Sequence, residues 1–362
     1  MKISIGLKLR QGPWGGGNQF ATSLTNYLSK KGIKVVHDLS ERDIDIILLA
    51  EPRKTSRSST FTDSEILDYL RYVHPEALVA HRINECDERK GTDSVNNLLV
   101  DANNCADHTI FISSWLKDNF SVRGITTERS SVILNGGDKK IFNAEGFSPW
   151  NRHESLKIVT HHWGDNWLKG FDIYRQLDDM LERPEWKERI NFTYIGRTPE
   201  DFSFRNTQHI KPLSGTALAS ELRNHHLYVT ASRNEPAGMH HIEGAMCGMP
   251  LLYIESGALP EYCRGFGISF IPETFSSALE KMMETYEYWF REMSRYPHTA
   301  DKMCTAYYDL FLDMMARKKE ILAARKKQPK PSLSETALFK MAMLRKQFRS
   351  FRKNILKGKK SQ

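Results

Sequence analysis

The chain has 362 residues, with 52 Lys+Arg against 44 Asp+Glu and a formal net charge of +8. Hydrophobic residues make up 40% and charged residues 27%, which excludes wholesale disorder, and the length suits two ordinary domains better than one. No run of about 18 apolar residues occurs, so no transmembrane helix is expected. The N-terminal stretch is too short and too charged for a signal peptide and reads as a first β-strand. Five scattered cysteines (Cys86, Cys105, Cys247, Cys263, Cys304) contain no CxxC pair, which speaks against a disulfide frame or a zinc site. The Asn191-Phe192-Thr193 sequon then carries no weight, because an intracellular chain does not meet the glycosylation machinery.

The charge is unevenly placed. Residues 317–362 hold 16 Lys+Arg and 2 acids (Glu320 and Glu335), a local balance of +14, and the first 316 residues stand at −6. Any argument about nucleic acid or membrane is therefore an argument about the tail alone.

In chain order, Ile3–Leu9 reads as a strand, followed by the glycine-rich turn Gly12–Gly17. Asn18–Lys31 reads as a helix, with Phe20, Leu24 and Leu28 on one face and Gly32 just past its end. Strands are expected at Lys34–Val36, Ile44–Leu49, Ala77–Ala80, Thr109–Ile112 and Ser131–Leu134. Helices are expected from Asp63 to Tyr72, over Val95–Ala102, and from a Ser113 or Ser114 cap to Phe120. Phe142–Ser155, rich in Gly, Pro, Asn and Ser, reads as a linker. Strands follow at Leu156–Thr160, Asn191–Ile195, Leu227–Thr230, Leu251–Ile254 and Gly267–Ile271. The helices among them are Phe171–Leu181, Leu218–Asn224 and His241–Cys247, and Phe275–Met315 is mainly helical. This is an α/β chain of two parallel-sheet units facing a cleft, where ligands bind outside the carboxyl ends of the strands. The boundaries are 1–145, 146–325 (with the closing helices) and a tail, 326–362.

Beyond the Lys326–Ser332 linker, residues 333–356 place Leu338, Met341, Leu344, Phe348, Phe351 and Ile355 at steps of three and four, with basic residues between them. This basic amphipathic helix favours an anionic membrane surface over a solvated or partner-binding role. No nucleic-acid motif or aromatic platform supports nucleic acid as a partner.

The strongest chemical signal is the run Glu235-Pro-Ala-Gly238-Met239-His-His-Ile-Glu243-Gly-Ala-Met-Cys-Gly-Met-Pro250. Glu235 precedes a helix starting near Met239, whose free N–H groups and partial positive charge seat phosphate. Glu235 accepts hydrogen bonds from hydroxyls, and Glu243, one turn inside, holds a vicinal diol. A sugar nucleotide offers hexose hydroxyls, diphosphate and ribose diol in that order.

Here the chain resembles the retaining glycosyltransferases of the GT-B fold often called family 4, or group 1. The E-x7-E motif matches Glu235 to Glu243 and continues through Pro250. Ser256-Gly-Ala-Leu-Pro-Glu261, Asn135-Gly-Gly-Asp138 with Phe142, and Lys169-Gly-Phe-Asp172 match three further family stretches. The resemblance covers roughly residues 1–315. It implies that Glu235 contacts the donor sugar, Glu243 holds the ribose, and Lys169 neutralises the departing diphosphate. It also implies that the Gly238-Met239 amides add to this, and that Gly16 and Gly17 let backbone approach the diphosphate from the first domain.

The chain departs from the family where an Arg usually precedes the Lys. Thr160–Leu168 contains none, so neutralisation falls to Lys169 with Arg197 or a His. The family's sugar-facing His after the fourth strand corresponds to His81 or Arg82, and Asn84 and Asp87 are further cleft candidates. The resemblance implies retention of anomeric configuration, no metal and no cofactor. It implies a nucleotide-diphosphate sugar as donor and a glycan or glycolipid of cell-surface polysaccharide or lipopolysaccharide synthesis as acceptor. The expected location is cytoplasmic and peripheral at the inner face of the plasma membrane. Alternatives are a non-hydrolysing sugar-nucleotide epimerase and a catalytically inactive membrane-bound scaffold. A dinucleotide-dependent dehydrogenase is disfavoured because Gly12–Gly17 does not give GxGxxG.

Overall fold

The computed structural model describes residues 1–10, 15–325, 331, 332, 334, 335, 338, 339 and 341. Gly12–Trp14, and most of the basic helix expected over 333–356, lie outside the described residues.

The first sheet contains β1 (Lys2–Ile5), β2 (Lys34–Val36), β3 (Ile46–Leu49), β4 (Leu78–Ile83), β5 (His108–Phe111) and β6 (Ser130–Val132). All pair in parallel in the order β2-β1-β3-β4-β5-β6. Between them run α1 (Gly16–Lys30), α2 (Asp63–Tyr72), α3 (Asp87–Lys90), α4 (Val95–Asn103) and α5 (Ser114–Ser121). The central strand β3 reads as an unbroken apolar run because both of its faces are covered. Along β3, Ile46 and Leu48 enter one core and Ile47 and Leu49 the other. Leu78 and Val79 divide in the same way.

The second sheet contains β7 (Leu156–His162), β8 (Ile190–Gly196), β9 (Gln208–Ile210), β10 (Leu227–Thr230), β11 (Leu251–Ile254) and β12 (Gly267–Phe270), in the order β12-β11-β10-β7-β8-β9, again parallel. Its helices are α6 (Phe171–Met180), α7 (Gly215–Leu222), α8 (Met239–Met246), α9 (Leu259–Cys263) and α10 (Phe275–Met293). The sequence reading missed the short elements α3, β9 and α9. Each has five residues or fewer, too short to show a period.

Strand order reverses between β1 and β3 in the first sheet and between β7 and β10 in the second. Loops leaving those four strands open a crevice in each sheet. The two crevices face each other.

The chain crosses between the domains twice, and the crossings touch. Gly137 N–H donates to the His298 carbonyl (3.1 Å), and Ala300 N–H donates to the Gly137 carbonyl (2.7 Å). A Cβ on Gly136 would fall inside the Thr299 carbonyl, so the first glycine of Asn135-Gly-Gly-Asp138 is required by chain crossing.

After the second crossing, α11 (Ala300–Ala316) and α12 (Lys318–Ala324) leave the second sheet. Met303, Tyr307, Phe311 and Met314 of α11 pack with Ile3, Phe20 and Leu24 of the first domain. Arg325 then forms an ion pair with Asp107. The expected 146–325 unit is thus shared: its last two helices close the first domain, because their apolar face matches that of α1.

The start of the tail is seated on the C-terminal end of α2. Ser332 and Glu335 cap each other, with Ser332 N–H to Glu335 Oε2 at 2.7 Å and Glu335 N–H to Ser332 Oγ at 3.2 Å. Glu335 also meets Arg71 (2.9 Å), and the Phe339 ring stacks on Tyr72 with centroids 4.5 Å apart.

Candidate active site

The crevices join in one cleft of about 840 Å³. Its floor is a buried ion cluster built from three distant parts of the chain. After β7, a 3-10 turn over Trp167–Lys169 ends at Gly170, whose φ of +92° is open to glycine. Gly170 packs against Ala231, and this brings Lys169 beside the loop after β10. Lys169 Nζ donates to Glu235 Oε2 (2.7 Å) and to Ser232 Oγ (3.3 Å). Ser232 Oγ also donates to Glu235 Oε2 (3.0 Å). From the first domain, Arg89 of α3 donates Nε to Glu235 Oε1 (3.2 Å).

Glu235 is only 2% exposed and Lys169 only 5%. Burial alone would raise the Glu235 carboxyl, but Lys169 and Arg89 outweigh it and hold it well below the ordinary carboxylate range. Burial lowers Lys169, and Glu235 opposes that shift. The loop is fixed from behind. Gly257, at φ +61°, lies so close that a Cβ would sit 2.6 Å from the Glu235 carbonyl, and Ala258 N–H donates to that carbonyl (2.8 Å).

Two helix N-termini face the cleft. α8 begins after Gly238 and α1 after Gly15, and neither carries a side-chain cap. Their first-turn amides are therefore available to a ligand. A Cβ on Gly16 would lie 2.9 Å from Met239 Cγ, so the two termini approach closely across the cleft. Gly16 and Gly17, expected in a turn, form the first residues of α1.

One turn into α8, Glu243 Oε2 pairs with His161 Nε2 (2.8 Å), and its Oε1 accepts from Gln19 Nε2 of α1 (3.1 Å). His161 Nδ1 is held by the Tyr228 hydroxyl (3.0 Å). His162 pairs with the Tyr174 hydroxyl (2.7 Å) and His240 with Thr230 Oγ1 (2.8 Å). Burial pushes both of these rings well below the ordinary histidine range, so they are neutral.

Comparison with family models and with curated proteins by sequence finds no match. Comparison with solved structures finds many. The catalytic domain of starch synthase IV from Arabidopsis thaliana, bound to ADP and acarbose, is 12% identical, with 87% of this chain and 99% of that chain covered and a TM-score of 0.64. HepE from Anabaena, in complex with UDP and glucose, is 13% identical over 86% and 100%, with a TM-score of 0.61. WaaG, a glycosyltransferase involved in lipopolysaccharide biosynthesis, is 13% identical over 86% and 99%, with a TM-score of 0.58. The chain has the GT-B fold.

In this GT-B cleft, Glu235, Glu243, Lys169, Gly16, Gly17, Gly238 and Met239 all line one space. Two expected residues do not. His81 is fully buried within β4, with Nδ1 2.9 Å from Asn103 Oδ1 and Nε2 unpartnered among the described residues. Burial lowers it to about 4. The strand pleat turns its neighbour Arg82 to the cleft instead, 4.0 Å over the Phe20 ring and bonded to Asn135 (3.0 Å). Arg197 is exposed outside the GT-B cleft, and its carbonyl accepts from the Tyr194 hydroxyl (2.7 Å). β8 ends at Gly196 on the far side of β7 from the β7–β10 switch point, so the loop carrying Arg197 does not open into the crevice.

Of the further candidates, Asn84 lines the cleft. Asp87 instead caps α4, accepting from the Val95 and Asn96 amides (2.9 Å each). Arg89, His161 and Gln19 were missed as named residues. Arg89 sits in Asp-Glu-Arg-Lys, which reads as a solvated charge run. The only sequence signal for His161 was its place at a strand end.

Proposed function

We propose that the chain is a retaining, metal-independent glycosyltransferase that moves a sugar from a nucleotide-diphosphate sugar to a hydroxyl of a glycan or glycolipid acceptor. The observation carrying this is the convergence of Lys169, Glu235, Glu243 and the uncapped start of α8 on one cleft. The spacing suits a donor laid along the loop and helix: sugar at Glu235, diphosphate over the amides of Gly238 and Met239 with Lys169, ribose at Glu243.

The reaction follows from this placement. The bond between the anomeric carbon and the diphosphate oxygen breaks, and the electron pair leaves with the nucleoside diphosphate. Lys169 and the α8 amides stabilise that charge, the kind of term worth about 2.7–4 kcal/mol per donor in such sites. The acceptor oxygen bonds the anomeric carbon on the same face, and its proton passes to the departing phosphate oxygen. Glu235, ionised at neutral pH, orients sugar hydroxyls. Two positive contributions at the diphosphate support a reaction that needs no metal.

Work in cell-surface polysaccharide or lipopolysaccharide synthesis, at the inner face of the plasma membrane, is part of the proposal. Its supports are the basic amphipathic pattern of 333–356 and the character of such neighbours as WaaG. The test is release of nucleoside diphosphate from UDP-, GDP-, ADP- and dTDP-sugars, with product configuration read by NMR. Transfer with retention supports the proposal. Donor binding without any turnover would favour the inactive scaffold, and inversion would refute the mechanism.

A further inference from the structure

The cluster on the cleft floor carries more positive than negative charge. Glu235 is shared by Lys169 and Arg89, and Glu85 by Arg89 and Lys90 (2.7 Å to Lys90), which gives three cations to two carboxylates. Within the cluster Arg89 spends Nε on Glu235 and Nη1 on Glu85 (3.2 and 3.3 Å). Its Nη2 has no partner among the described residues, and the side chain lines the cleft. The guanidinium plane is held by two carboxylates, so the free edge has a fixed direction. The backbone beneath it is also fixed. Asp87 anchors α3 to α4, and the Glu88 carbonyl accepts from Asn234 Nδ2 across the cleft (3.2 Å).

We infer that Arg89 is a second anion-binding cation of the donor site, supplied by the first domain, so that the donor's diphosphate is held from both sides only when the domains are together. The inference rests on the donor-site reading above and adds a residue and a domain to it. The cation expected from the second domain, Arg197, stands outside the cleft, and Arg89 reaches the same carboxylate as Lys169 from the opposite wall. Glu235 then has two duties: it orients sugar hydroxyls and holds the two cations in place. A donor phosphate can take Nη2 without breaking either existing Arg89 contact.

The test is isothermal titration of the full chain with inorganic pyrophosphate, with melting temperatures recorded alongside. Arg89→Gln is expected to weaken pyrophosphate binding about tenfold or more, the loss of one charge-assisted hydrogen bond. Lys169→Gln is expected to do the same. A purely structural bridge would lower the melting temperature of Arg89→Gln and leave its affinity at the parent value. That result, with Lys169→Gln still weakened, overturns the inference and leaves the donor site standing. Parental affinity in both variants, or no pyrophosphate binding by the parent, overturns both. Should Arg89→Gln fail to fold, Arg89→Lys decides: its ammonium lacks the planar fork, and binding about threefold weaker is expected. Parental affinity in Arg89→Lys overturns the inference.

Discussion

Lys169 Nζ and Glu235 Oε2 lie 2.7 Å apart, buried together at the junction of two loops that are 66 residues apart in sequence. Removing either partner leaves the other charge buried and under-compensated, which typically costs about 3–5 kcal/mol. Lys169→Met should lower the denaturation midpoint clearly. Glu235→Gln should do so more, because it strands two cations. Chemical denaturation measures both, and unchanged midpoints would show that the pair is not closed in solution.

The two glutamates should separate by function. Glu243→Ala is expected to weaken nucleotide-sugar binding, since Glu243 faces the start of α1 through Gln19 and sits one turn inside α8. Glu235→Ala is expected chiefly to lower turnover. Steady-state kinetics report the first as a raised KM and the second as a lowered kcat. Parental kinetics in both variants would remove the site.

Much of this was legible in sequence, for identifiable reasons. Strands such as Leu227–Thr230 and Leu251–Ile254 are bounded by turn residues and buried on both faces, so their apolar runs are unambiguous. The E-x7-E loop and helix are local, so the motif shows in one short run of sequence, while the contacts that complete the site come from far along the chain. Arg89 and Gln19 were not legible, because they reach the site across the domain interface and no spacing records that. His81 failed through the pleat: one residue along β4 exchanges the buried face for the cleft face. Helices α11 and α12 were misassigned because an apolar stripe reports that a helix is covered, not by which domain.

Buried histidines should set the acid limit of stability. Burial lowers His81 to about 4 and His241 to about 3, against an ordinary value near 6.5. The unfolded chain therefore binds more protons in this interval. Stability is full above about pH 6.5 and falls as pH drops toward those folded-state values. Neither ring nitrogen of His241 has a partner among the described residues, and the ring packs on Tyr262 with centroids 5.3 Å apart. His241→Phe should melt at or above the parent temperature at pH 7.5 and lose less stability on acidification. A variant as acid-sensitive as the parent would contradict this.

At the domain crossing, Gly136→Ala forces a methyl into the Thr299 carbonyl. Neither backbone can yield without moving a domain, and a loss of about 2 kcal/mol or more is expected in urea denaturation. Gly17→Ala, where an added Cβ meets nothing within 4 Å among the described residues beyond its own helix, should be silent in the same assay.

The tail should act at a distance from the chemistry. Its first described contacts are with Arg71 and Tyr72 at the C-terminal end of α2, the end away from the cleft. Deleting 326–362 should abolish sedimentation with anionic liposomes and leave nucleotide-sugar binding intact. Unchanged sedimentation would sink the membrane reading.

The most direct measurement is a thermal-shift titration of the parent and Glu243→Ala with UDP-, GDP-, ADP- and dTDP-sugars. Ligand that binds only the folded state raises the melting temperature in proportion to RT ln(1 + [L]/Kd). A rise with at least one nucleotide class in the parent, reduced in Glu243→Ala, is the predicted result. No rise with any of the four, or an equal rise in both proteins, would contradict the placement of a nucleotide-sugar donor in this cleft.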